Sequence, residues 1–103
     1  MTRRDTPLLL TLLSPVFLAF LGCGRPATID DCTRVVEKNV EVQMRKSNIT
    51  DPEEIAREKA RVRVSLSDKI AQCPGRRVTD GMMRCVEHAG TSEEIDKCMR
   101  RLF

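Results

Sequence analysis

The fold of this chain is decided by its last stretch, MRCVEHAGTSEEIDKCMRRLF, which covers residues 83–103. Thr91 and Glu94 have the spacing of a capping box, and Gly90 just before them is typical of a helix end. The stretch therefore predicts a helix, a tight turn and a second helix. Two antiparallel helices bring Cys85 and Cys98 level, so we expect a disulfide-stapled hairpin rather than a catalytic motif. After the turn, the apolar residues have the spacing of one helical face: Ile95, Cys98, Met99 and Leu102.

The preceding part of the domain predicts another helical hairpin. Its first helix starts at Asp30 or Asp31, since either can act as the cap. Its second helix starts with Asp51 as cap and Pro52 at the first helical position. Thr79 caps the helix that carries Cys85. The two stripes at helical spacing are Ile29, Cys32, Val36, Val40 and Met44 on the first helix, and Ile55, Val62, Leu66, Ile70 and Cys73 on the second.

The predicted fold class is therefore all-α, a small disulfide-stapled bundle of two αα-hairpins with four helices. The helices cover residues 30–48, 51–73, 79–89 and 91–102. Residues 40–44 and 62–66 also alternate with period two, which leaves a β-hairpin between them as the competing interpretation. The capping signals favour helices. Val35, Val42 and Ile49 lie off the first stripe and meet either a third element or a second copy of the chain.

The beginning of the chain predicts a cleaved signal peptide over residues 1–22. Two arginines, Arg3 and Arg4, precede an apolar run of about 14 residues, which is shorter than the roughly 20 needed to cross a bilayer. Residues 23–28 form a short tether that reaches at most about 20 Å. Residues 29–103 form the helical domain.

The end of the signal peptide and the residue after it read Phe20-Leu21-Gly22-Cys23. This sequence resembles the lipobox of bacterial lipoproteins, where a small residue precedes an invariant cysteine. The resemblance implies that Cys23 is the lipidation site, carries the diacylglyceryl group and becomes an acylated mature N-terminus. It also implies a lipid-anchored protein of the cell envelope. Gly24 stands where the enterobacterial inner-membrane retention signal has Asp, which favours the outer membrane, facing the periplasm or the cell surface.

Five cysteines are present, and lipidation of one leaves four, Cys32, Cys73, Cys85 and Cys98, for two disulfides. A domain below about 80 residues rarely gains more than ~3–5 kcal/mol from its core, so such staples are expected. Three connectivities are possible. We prefer Cys32–Cys73 with Cys85–Cys98, one bridge across each hairpin. The runner-up is Cys32–Cys98 with Cys73–Cys85.

The composition argues against several function classes. No Trp or Tyr occurs, and Phe103 is the one Phe after the leader, so a pocket built on aromatic rings is not expected. The net charge of +3 is small and scattered, which argues weakly against a nucleic-acid surface. We expect no catalytic residues, no cofactor and no metal site. Cys85 and His88 lie one helical turn apart, but no close Cys-x2-Cys pair accompanies them. The candidate basic patch, interpreted as ordinary solvation or as a contact for anionic lipid or acidic partners, comprises Arg76, Arg77, Arg100 and Arg101.

With the lipobox and the four cysteines together, the chain resembles the small, all-helical, four-cysteine lipoproteins of some Gram-negative lineages. Most of these are uncharacterised, so the resemblance implies no activity. The sequence predicts a non-enzymatic, membrane-anchored interaction or structural module whose partner is an envelope protein of unknown identity. The alternative is a small helical bundle that binds an apolar ligand or lipid among its Val, Met and Ile side chains.

Overall fold

The computed structural model describes residues 24–100, and these form a mostly helical domain with two disulfides. The predicted helical character is confirmed, but residues 24–100 contain five helices where four were expected. Residues 40–44 and 62–66 lie in helices or at a helix end, so the β-hairpin interpretation is wrong. The elements are β1 (Arg25–Pro26), α1 (Ile29–Lys46), α2 (Pro52–Ser65), α3 (Ser67–Gln72), β2 (Arg77–Val78), α4 (Asp80–His88) and α5 (Ser92–Arg100).

The start of α1 differs from the prediction. Thr28 is its cap, and Asp31 is the third helical residue rather than the cap itself. The Asp31 N–H donates to Thr28 Oγ1 over 3.1 Å, and the Thr28 N–H donates to Asp31 Oδ2 over 2.9 Å. These two bonds form a reciprocal capping box, with Asp in the place that Glu or Gln usually takes.

The other predicted caps are confirmed. The side chain of Asp51 accepts from the Glu53 N–H, and Thr79 accepts from the Met82 N–H. The Glu94 N–H donates to Thr91 Oγ1. The Glu94 carboxylate reaches back to the Gly90 N–H over 2.7 Å, one residue before the usual target. This bond satisfies a backbone donor in the α4–α5 turn.

The predicted helix over residues 51–73 is interrupted at Leu66, which has φ −104° and ψ 17° and separates α2 from α3. Ser65 and Ser67 flank the break, and helix kinks are common beside serine because its hydroxyl competes for backbone groups. After the break, the Ile70 N–H donates to the Leu66 carbonyl over 2.9 Å. The break redirects α3 so that Ile70 packs with Cys32, and Cys73 reaches the same cluster.

Two apolar clusters form the core, and α1 contributes to both. One joins α1 to α4 and α5, and contains Val42, Val86, Ala89, Ile95 and Cys98, with Val35 and Met99 packed against it. The other joins α1 to α3 and the β1–β2 ribbon, and contains Ala27, Cys32, Ile70 and Val78, with Val36, Leu66 and Cys73 packed against it. Val35 and Val42 therefore serve the core.

The domain has two ends, which we call proximal and distal according to their distance from Gly24. The proximal end carries β1, β2, α3 and the first turn of α1, and the distal end carries the α1–α2 and α4–α5 turns. At the distal turn Asn48 has φ +63°, and the Ile49 N–H donates to the Met44 carbonyl over 2.9 Å. This is the left-handed helix ending that Asn adopts more readily than most residues.

Candidate functional site

The two disulfides connect the cysteines in the pairing that the sequence favours. Cys32 is bonded to Cys73, with Cα atoms 6.2 Å apart, and so ties α1 to the end of α3. Cys85 is bonded to Cys98, with Cα atoms 5.7 Å apart, across the α4–α5 hairpin. Both Cα separations lie within the usual range for a disulfide. The runner-up pairing of Cys32 with Cys98 is absent.

The segment before α1, which belongs to the short tether predicted over residues 23–28, packs against the domain. Arg25 pairs with Val78 and Pro26 with Arg77 in an antiparallel two-stranded ribbon. The Ala27 N–H donates to the Arg76 carbonyl over 2.7 Å, and the Gly75 N–H donates to the Ala27 carbonyl over 3.0 Å. Ala27 itself is 5% exposed. Residues 25–27 are therefore a folded part of the proximal end.

A charged cluster around Arg25 holds this segment against two helices. Its Nη1 and Nη2 atoms donate to Asp31 over 2.6 and 3.1 Å, and its Nε donates to Asp80 over 3.1 Å. Asp31 is the one buried charged residue among those described, and it is 4% exposed. Burial of a carboxylate is tolerated where cations and donors surround it. The cluster therefore fastens β1 to the first turns of α1 and α4.

The same cluster sets the protonation behaviour of its members. Hydrogen bonds from Arg25 and from the Thr28 backbone hold the pKa of Asp31 well below its usual range, against the opposing effect of burial. The bonds to Asp31 and then to Asp80 raise the pKa of Arg25 further above its already high value. Asp31 therefore stays ionised in the folded protein until the solution is strongly acidic.

Gly24 lies beside the ribbon, immediately after the predicted lipidation site. Its φ is +82°, and a Cβ built there would lie 3.3 Å from the Val78 carbonyl oxygen. Arg77 Nη1 donates to the Gly24 carbonyl over 3.4 Å. Glycine is the residue that adopts this backbone at least cost. Cys23 lies outside the described residues. A peptide bond joins it directly to Gly24, and the Cα atoms of such neighbours are about 3.8 Å apart, so no linker separates Cys23 from the folded domain.

An apolar groove opens at the proximal end, and we call it the proximal groove. Its volume is about 200 Å³, and α1, α3, α4, α5 and β2 all contribute to its walls. The sequence predicts an apolar interior but does not locate this groove. Its walls include Ala27, Cys32, Val36, Ile70, Val78 and Met99.

The second surface of interest is the outer side of α2. Ile55 is the one buried residue of this helix. Lys59 pairs with Glu41 over 3.4 Å, and Arg63 pairs with Glu37 over 3.2 Å, so ion pairs with α1 supplement a narrow apolar contact. Val64 is 78% exposed. This helix therefore lies on the outside of the bundle and presents a charged surface with an exposed apolar side chain.

The groups considered for chemistry have structural partners. His88 Nδ1 donates to the Arg84 carbonyl over 2.8 Å within α4, and Cys85 has no free thiol because it is in a disulfide. Residues 24–100 contain no group of three or more His, Cys, Asp or Glu side chains that could hold a metal ion. Arg101 of the candidate basic patch lies outside the described residues. Within the described part of the chain, no helix combines the length and apolarity that crossing a membrane requires.

No family model, no curated protein and no solved structure matches this chain.

Proposed function

We propose that this protein is a non-enzymatic interaction module, anchored in the cell envelope by a lipid on Cys23. The observation that carries the proposal is the fixed N-terminal segment. The β1–β2 ribbon and the Arg25–Asp31 pair hold residues 25–31 against the domain. A lipid on Cys23 would therefore fix the position of the proximal end at the membrane surface. A free linker would leave the orientation open, whereas this attachment defines one.

The attachment also defines which surface a partner can reach. α1 has 18 residues, which corresponds to a length of about 27 Å. Its far end carries the distal turns, so these lie farthest from the anchor. α2 runs along the side of the bundle, and its outer surface remains accessible. We propose that an envelope protein is recognised through the outer surface of α2 and the distal end, and Gly24 favours the outer membrane as the location.

Site-specific photocrosslinking in cells tests the interaction. A photoreactive amino acid at Val64 should give an adduct of constant size with one envelope protein after illumination. The same amino acid at Gln72, the exposed last residue of α3 at the proximal end, is the matched control and should not give that adduct. The Cys23→Ser variant should lose it because the anchor is gone.

Two results would contradict this proposal in whole or in part. If Val64 and a distal position such as Gln43 gave no reproducible adduct, and affinity capture of the lipidated protein from membranes enriched nothing, the proposal would be abandoned. If adducts formed equally with Cys23→Ser, interaction would remain but the role of the anchor would be wrong.

The second candidate function is binding of a small apolar ligand, and the proximal groove favours it. Ligand sites are concave and mostly apolar, although 200 Å³ is below the roughly 300–1,000 Å³ typical of sites for drug-sized molecules. Native mass spectrometry of the protein from its own membranes tests this candidate. A co-purified molecule with one-to-one stoichiometry would support it, and its consistent absence would count against it.

A further inference from the structure

The proximal groove lies close to the point where the described chain ends. α5 returns from the distal turn toward the proximal end, and Met99, in its last turn, forms part of the groove wall. Residues 101–103 follow directly and lie outside the described residues. Three residues span at most about 10 Å even when fully extended. The length of this segment therefore allows Leu102 and Phe103 to reach the groove.

The spacing of the two apolar residues from Met99 is that of one helical face. Leu102 and Phe103 follow it by three and four residues, the spacings at which side chains become neighbours on a helix. A continuation of α5 by one turn would therefore aim them the same way as Met99. The same continuation would place Arg101 on another side of the helix.

The volume of the groove suits one aromatic ring. A dry cavity of about 150 Å³ lined by Leu, Ile and Phe side chains is large enough to bind benzene. The proximal groove measures about 200 Å³ and is walled largely by Val, Ile, Ala, Met and disulfide atoms. Phe103 is the sole aromatic residue after Phe20. A groove of this size accepts a Phe side chain, whereas a whole lipid chain would fill it and protrude.

The hydrophobic effect favours the chain's own residues over membrane lipid. Moving a Phe side chain from water into an apolar site is favourable because it removes a large apolar surface from water. An acyl chain that leaves a bilayer for the groove exchanges one apolar surrounding for another and gains no comparable driving force. Tethering adds a further advantage, because Phe103 is held near the groove at a high effective concentration.

We propose that the proximal groove is the docking site of this chain's own Leu102-Phe103 pair, with the Phe103 ring lying between Ile70 on α3 and Val78 on β2. Docking would join the last helix to the ribbon that holds the N-terminal segment. The inference does not depend on the lipid anchor, and it opposes the ligand-binding candidate, because a ligand would have to displace the ring.

Methyl NMR of the full protein in lipid nanodiscs tests the proposal. Ring currents shift the resonances of nearby methyl groups, and Phe103 is the one Phe, Tyr or Trp of residues 23–103. The other aromatic ring, the imidazole of His88, is not among the described side chains that line the groove. We expect nuclear Overhauser contacts from this ring to the methyl groups of Ile70 and Val78, together with upfield shifts. Both should disappear in Phe103→Leu, which keeps the residue apolar. The methyl groups of Val42 and Ile95, in the other core cluster, are the internal control and should not change.

Three results would overturn the proposal. The groove methyl groups could have the same shifts in wild type and Phe103→Leu, which would place the ring elsewhere. They could show contacts to lipid acyl protons, which would make a lipid chain the occupant. Ring contacts could also occur only between differently labelled molecules in a mixed sample, which would make a second copy the source of the ring. The wild-type contacts are measured directly, so the test does not depend on how well the variant folds.

Discussion

Replacement of Asp31 by Asn removes the charge at the centre of the proximal end while preserving the shape of the side chain. The carboxylate accepts from Arg25 over 2.6 and 3.1 Å and from the Thr28 N–H over 2.9 Å. An amide offers one acceptor oxygen, and its NH2 group would face a donor. At least part of the Arg25 contact must therefore be lost.

The expected loss of stability depends on how far each partner of the Arg25–Asp31 pair is buried. Hydrogen bonds to charged groups contribute about 1.5–3 kcal/mol each to stability. The Arg25 side chain is 39% exposed and can regain water, whereas that of Asp31 is 6% exposed and cannot. Solvent screening of the exposed Arg25 side chain keeps the net loss of stability at the lower end of this range. We expect Asp31→Asn to lower the free energy of unfolding by about 2 kcal/mol.

Urea denaturation followed by circular dichroism measures this loss. With a slope of about 1 kcal/mol per M, typical of a small domain, the midpoint should fall by about 2 M. Asp30→Asn is the matched control, because Asp30 is the preceding residue and its side chain is 80% exposed. Its effect should stay within about 0.5 kcal/mol. Equal midpoints for the two variants would refute the claim that the buried cluster fastens β1 to the domain.

The remaining predictions concern pH, the first disulfide and α2. Because the folded pKa of Asp31 lies below its unfolded value of about 3.9, its contribution is complete above that pH and is lost as the pH falls through the folded pKa. The difference in unfolding free energy between wild type and Asp31→Asn, measured by urea titrations across pH, should therefore be constant near neutrality and shrink below about pH 4. A difference that stays constant down to pH 2 would contradict this expectation. Joint replacement of Cys32 and Cys73 by Ser opens a loop of 41 residues and should lower the free energy of unfolding by about 4 kcal/mol by the chain-entropy relation, against about 3 kcal/mol for loss of the α4–α5 bridge. Thermal unfolding of the two double variants should show the larger loss for the Cys32–Cys73 bridge. The reverse order would argue against an entropic origin of the stabilisation. Ile55→Ala should cost about 2–4 kcal/mol and the exposed Val64→Ala less than about 0.5 kcal/mol; similar unfolding midpoints would mean that α2 is not held by its apolar contact.

Local signals made most of the helical architecture predictable. Caps at Asp51, Thr79 and Thr91 are encoded within four residues, so they can be seen in the sequence. The preferred disulfide pairing followed from the two hairpins, since each bridge closes the hairpin that contains it. The off-stripe positions Val35 and Val42 indicated a second apolar contact for α1, and they pack toward α4 and α5.

The features that were missed depend on long-range contacts. Arg25 and Asp80 are 55 residues apart, and nothing near either residue indicates the pairing. The β1–β2 ribbon is only two residues long on each side, too short to produce a periodic pattern. The break at Leu66 lies inside an uninterrupted apolar stripe, so the helical spacing did not reveal it. The proximal groove depends on all of these contacts, which is why the sequence alone did not locate it.

The anchor and the disulfides are tested together by the intact mass of the protein extracted from its own membranes, before and after reduction, with cysteine-linked peptides mapped. We expect a chain that begins at Cys23 and carries lipid there. We also expect a gain of about four hydrogens on reduction, two for each bridge, with Cys32 linked to Cys73 and Cys85 to Cys98. An unlipidated chain with free thiols would contradict both the proposed anchor and the disulfide support of the fold.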